Sequence, residues 1–181
     1  MTAPIQLVPL KCIRCETPVP AQPDEVAWVC AQCGQGLLLD KQSGLSPLKV
    51  RFATGGAARE RGDPFWVAEG RVSLQRKKDP AFGNKDRDAH QFWSRPRRFF
   101  VPAYTCSLDT LINQGTGLLR RPPELEAGEP LPFAPVTLLP QDVAAVIDFI
   151  VVAIEAERSD KIKLVNLTAQ LSEPSLWILP L

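Results

Sequence analysis

Several things are scarce in this 181-residue chain, and each scarcity closes a route. There is one histidine, His90. Ser-His or Cys-His catalysis would have to run through it, and no nucleophile motif accompanies it. Net charge is nearly absent, because 21 Lys and Arg face 20 Asp and Glu. The chain as a whole therefore has no field that would draw a polyanion or an anionic membrane. Long apolar runs are also missing. The longest, residues 143–154, contains Asp148 and spans 12 positions, where a membrane-crossing helix needs about 20. The opening MTAPIQLVPL has neither a basic stretch nor an unbroken apolar core, so it does not read as a secretory signal. Gly55-Gly56 and Gly115-x-Gly117 lack both the Lys-Ser/Thr ending and the strand–helix setting of a phosphate loop.

What is present suits a folded chain. Apolar residues make up 45%, enough for a sizeable core. Eighteen prolines are about twice the usual share, and their scatter marks strand ends and loops. Of five cysteines, four form two CxxC pairs and Cys106 stands alone. That is metal-ligand arithmetic in a reducing compartment rather than a disulfide framework, so a cytoplasmic location is expected.

Cys12, Cys15, Cys30 and Cys33 have the spacing C-x2-C-x14-C-x2-C. A two-residue gap lets one tight turn offer two sulfurs to the same metal, and two such turns complete a tetrahedron. Gly34, just after the last cysteine, supplies a positive φ where backbone N–H groups wrap round sulfur. Arg14 is placed to offset charge, since four thiolates on a divalent ion leave a net of −2. These residues predict one structural zinc ion, with every position filled by protein and none open to a catalytic water. Iron has equivalent ligands and remains an alternative. A redox CxxC would need only one pair, in a βαβ setting. CIRC, CAQCG and their spacing resemble the rubredoxin-like zinc ribbons of transcription, translation and uncharacterised bacterial zinc-ribbon proteins. The resemblance covers about residues 8–40 and implies a small hairpin-built ribbon.

The expected layout is a zinc ribbon over 1–42 and an α+β domain over 47–181, with a mostly antiparallel sheet packed with one long and one short helix. In the ribbon, short β-prone runs fall at 17–19, 26–29 and 36–39. Residues 40–47 (DKQSGLSP) have linker composition, and 47–52 begin the second unit. A polar Gly-rich loop is expected at 53–63. A strand pair or bent strand follows at 65–74, turning or bulging at Glu69-Gly70. Residues 76–94 read as a long charged loop and 98–104 as a strand that Pro102 confines to an edge or an end. Residues 107–115 fit a short helix with Ser107 as N-cap and a closing glycine. Residues 122–135 read as irregular. Residues 140–158 form the long helix, opened by Pro140 and Asp142 and apolar almost all round, which predicts burial within the core. A strand at 162–171, a turn at Ser172-Glu173-Pro174 and a last strand at 175–179 close the chain. RRFFVPAY, the long apolar helix and LWILPL look like the body of the same uncharacterised bacterial zinc-ribbon proteins, which supports reading 47–181 as one domain.

Other clusters compete for a role. Residues 69–98 hold nine Lys and Arg against four acids, interleaved with Phe82, Phe92 and Trp93. Such a stretch suits nucleic-acid binding, or else a solvated loop anchored by its aromatics. Residues 122–160 carry eight acids and one base, and could neutralise it. Asp86, Asp88 and His90 form D-x-D-x-H, which on an extended segment would place three ligands on one edge. Cys106 reads as a small buried residue, or as a thiol whose pKa a helix N-terminus lowers. Trp66, Trp93 and Trp177 read as core or interface residues rather than a cofactor box.

The reading favoured is a non-enzymatic adaptor or scaffold that binds a protein partner in a larger assembly, with its zinc purely structural. The alternative is a nucleic-acid-binding regulator that uses the ribbon and the basic 71–98 loop. A third, an enzyme built on Asp86, Asp88 and His90, requires those side chains to converge.

Overall fold

The computed structural model of the chain describes residues 10–40, 44–55, 60–76, 83–158 and 165–181, without the side chains of 75–76, 83–88, 158 and 165–166. Near the N-terminus three short strands, β1 (Ala27–Val29), β2 (Gly36–Asp40) and β3 (Gly44–Leu48), form an antiparallel sheet in that order. β3 is a correction to the expected linker. Its register, Leu39↔Leu45 and Asp40↔Gly44, folds it straight back onto β2. Gly44, at φ +84°, supplies the left-handed residue that this reversal uses. A polar, Gly-containing stretch makes a hairpin as readily as a linker, and composition alone does not separate them.

The larger sheet holds β4 (Val50–Phe52), β5 (Asp63–Arg76), β6 (Arg97–Pro102), β7 (Val165–Leu171) and β8 (Ser175–Leu179). Its order is β4-β8-β5-β6, with β7 also on β5, and every pairing is antiparallel except β4 with β8. β5 is one continuous 14-residue strand rather than a pair. Gly70 is where the pairing on one side of β5, with β6 (65–70), ends and the pairing on the other side, with β7 (70–76), begins. A Cβ at Gly70 would lie 2.2 Å from the Gln170 carbonyl oxygen, so close backbone approach explains this glycine.

β7 and β8 run along the same side of β5, and the expected turn between them is a bulge. Gly70 pairs with Leu171 and Val67 with Ser175. Three residues, 172–174, therefore oppose two on β5. The Ser172 N–H donates to the Glu69 carbonyl at 2.7 Å, and the Glu69 N–H donates to Ser172 Oγ at 3.0 Å. Pro174 sits where no ladder donor is needed.

Among the described residues there are three α-helices rather than two. The additional one, α1 (Gly83–Ser94), replaces part of the expected charged loop; residues 77–82 lie outside the described residues. Its anchors are Ala89 and Trp93, one turn apart and both buried. α2 (Leu108–Arg120) starts as expected, with Thr110 N–H donating to Ser107 Oγ at 3.1 Å, but it runs through Gly115 instead of stopping there. A Cβ at Gly115 would lie 2.4 Å from Ile150 Cδ1, so the glycine permits helix–helix contact. A 3-10 turn (Pro140–Asp142) leads into α3 (Val143–Arg158).

One face of the sheet (Trp66, Ala68, Val72) packs with Trp93 and with Val143, Ile147, Ile150, Val151 and Ile154 of α3 in the main core. Trp93 stacks parallel to Phe99 at 6.3 Å and donates its indole N–H to the buried Glu155 carboxylate at 2.6 Å. The opposite face holds Phe65, Val67, Phe100 and Leu179. The irregular stretch expected at 122–135 is a strap tied by backbone hydrogen bonds. Gly128 donates to Phe52, Ala134 to Gly62, and Val26 to Val136. Through Val26 and the Ala27↔Val136 bridge it joins the small sheet to the large one.

Candidate metal centre

Each CxxC pair folds the same way, because each makes the same backbone bonds at the same offsets. Cys12 N–H donates to Thr17 O and Cys30 N–H to Gln35 O, both at 2.9 Å. Glu16 N–H donates to Cys12 O at 2.9 Å, and Gly34 N–H to Cys30 O at 2.8 Å. The residue after each second cysteine is left-handed: Gly34 at φ +71° as expected, and Glu16 at φ +58°. Glu16 was not picked out from sequence, because a glutamate carries no sign of positive φ. Its position, one past the second cysteine as in Gly34, was the available signal.

The two turns bring all four sulfurs together. Their Sγ atoms lie within 4.8 Å of one another, with Cys12–Cys33 and Cys15–Cys30 each at 3.6 Å. Metal–sulfur bonds of about 2.3 Å in a tetrahedron place sulfurs about 3.8 Å apart. The donor set therefore fits one metal ion. Cys12 and Cys30 are buried, and Cys15 and Cys33 half-buried. Val19, Trp28 and Leu37 pack around them. The Trp28 indole nitrogen is buried without a hydrogen-bond partner.

The sulfurs sit in unequal surroundings. The Thr17 side chain, with Oγ1 3.2 Å from Cys15 Sγ, and then the Thr17 N–H bring the Cys15 thiol down to about 6. Burial works against ionising Cys12, but the N–H groups of Arg14 and Cys15 lower it; Arg14 N lies 3.4 Å from its sulfur. At Cys33 the Gln35 N–H favours the thiolate. Burial and the neighbouring sulfurs outweigh it and push that thiol up to about 12. Were all four ionised this close together they would repel one another, a repulsion that a bound cation would offset.

The other candidates do not assemble. The backbone of Asp86, Asp88 and His90 is helical, not extended, so the three share no edge; 86 and 90 fall on one side and 88 on another. His90 is exposed, and the side chains of Asp86 and Asp88 lie outside the described residues, as does Phe82. Cys106 is half-buried rather than buried, and burial raises its pKa instead of lowering it. Trp66 and Trp93 are fully buried, and Trp177 lies half-buried beneath the Arg51 guanidinium at 5.4 Å. Within the basic stretch, Arg98 pairs with Glu69 at 2.8 Å, and Arg97 lies 3.7 Å over the Phe92 ring. No helix among the described residues is long and apolar enough to cross a membrane.

Comparison with protein-family models, with curated proteins and with solved structures finds no match to this chain.

Proposed function

We propose that Cys12, Cys15, Cys30 and Cys33 hold one structural zinc ion in a zinc ribbon, and that the protein is a non-enzymatic cytoplasmic adaptor for a protein partner in a larger assembly. One observation carries this reading: the ligand set is complete in sulfur, so a bound ion keeps no position for water or substrate. Iron fits the same closed tetrahedron of four thiolates, and elemental analysis of the purified protein separates the two metals. A metal held this way fixes the fold of the N-terminal module, and binding then falls to the surfaces around it.

Arg98 is engaged by Glu69 and Arg97 by Phe92. Two of the three arginines that would lead nucleic-acid binding are thus spent within the chain, which weighs against the regulator reading. Purification from the native source under low salt tests the choice. The adaptor reading expects a stoichiometric protein partner that survives nuclease treatment. Recovery of nucleic acid alone, lost on charge reversal at Arg95, Arg97 and Arg98, would replace it with the regulator reading.

A further inference from the structure

Helix α3 is apolar on two opposite sides. One side buries Val143, Ile147, Ile150, Val151 and Ile154. At about 100° per residue, Ala145, Phe149, Val152 and Ala156 form a line on the other side, one helical turn apart. All four are exposed, Phe149 by 57% and Val152 by 45%. This corrects the expectation that the helix is enclosed all round. A single exposed apolar residue is ordinary. A continuous line on a helix whose back already sits on a core marks a surface that something covers.

The charges beside the line decide what covers it. Among the described residues on α3 and the turn before it they are Asp142, Asp148 and Glu157, all exposed. Glu157 is paired with Arg120 of α2, whereas Asp142 and Asp148 have no ion-pair partner among the described residues. A second copy would set this acidic rim against itself, because a twofold interface meets its own flank. A cationic rim on a different protein complements it.

We propose that the outer face of α3 receives an amphipathic helix of a partner protein. Its apolar side chains, at i, i+3/i+4 and i+7, seat on Phe149 and Val152, and Lys or Arg on its flanks face Asp142 and Asp148. The proposal rests on the adaptor reading and names its docking surface.

A photo-crosslinking residue placed at Val152 of the full chain, in its native cells, tests this, with a second version carrying it at Ile13 beside the cysteines (49% exposed). The cross-linked peptide is sequenced by mass spectrometry. The expected product at Val152 is a Lys- or Arg-flanked apolar helix of another protein. Its yield should fall at least tenfold on Phe149→Ser or Asp148→Lys, variants whose unchanged metal content and melting certify their fold. Cross-links from Val152 to this chain itself, or to a segment without basic flanks, overturn the proposal. Capture at Ile13 with none at Val152 overturns it while leaving the adaptor reading intact. Capture at neither position defeats both.

Discussion

Residues 10–40 and residues 50–181 reach order by different physics. The main cluster buries seventeen residues, among them Trp66, Trp93 and Phe99, between a sheet and its helices, and all but Ala27 come from the larger region. The small module's own cluster has five buried members, and two of them, Cys12 and Cys30, belong to the four-cysteine group. So little apolar area does not offset the chain entropy of the module. The contrast teaches where each region's stability comes from. Hydrophobic burial holds the sheet and helices; on the proposed zinc reading, charge neutralisation at four sulfurs holds the module. The two regions meet through the Ala27↔Val136 bridge and through Val26 and Leu38, which pack against the main core, so loss of the module should uncover that edge of the core but leave the sheet and helices in place.

The largest effect that would break this contrast is at the metal. Cys30→Ser removes one ligand of four, and structural zinc sites are worth about 10–16 kcal/mol in zinc-finger peptides. The expected variant binds no zinc by elemental analysis and loses hydrogen-exchange protection over 10–40, while Trp93 keeps its buried fluorescence. The mirror-image experiment is Phe99→Ala in the main core. It should cost about 3–5 kcal/mol in urea unfolding and leave zinc stoichiometry unchanged in the folded fraction.

A finer comparison lies inside the module, between its two turns. Gly34→Ala puts a side chain at φ +71° and should destabilise by about 1–2 kcal/mol, with faster zinc loss to a competing chelator. Glu16→Gly should act oppositely. It removes the same strain at φ +58° but adds freedom to the unfolded chain, for a net gain below about 1 kcal/mol.

The smallest effect concerns Asp148, whose carboxyl burial pushes above the usual range. A raised acid pKa means that the ionised form is the costly one in the fold, so its cost is absent below the ordinary carboxylate pKa, grows as pH rises past it and is complete above the raised folded pKa. Asp148→Asn should match the native chain at acid pH. At pH 7 it should be more stable by less than about 0.5 kcal/mol, because the group is exposed and solvent screens it. Thermal melts at both pH values would check the sign.

The convergence of the four cysteines was legible because metal chemistry constrains the type and spacing of such residues, and Gly34 because positive φ favours one residue. Ser107 was legible as a cap, and Pro140 as a helix opener, for similarly local reasons. Where one local signal serves two structures, reading failed. Gly115 looked like a helix end and is a packing site; Ser172-Glu173-Pro174 looked like a turn and is a bulge. Helix α1 was hidden because a mostly polar stretch needs only Ala89 and Trp93 as anchors, and the pocket for Trp93 comes from distant Phe99 and Glu155. The outward line on α3 was masked by the apolar content of the whole helix, since composition does not say which side meets the core.

Hydrogen exchange on the full chain, before and after chelation with the released metal quantified, bears most directly on the division between the two regions. One zinc per chain should be released. Protection should then collapse over 10–40 and persist through β5, β6 and the buried face of α3. A folded chain that carries no metal, or a module that stays protected once its metal is gone, would contradict the role given to the four cysteines.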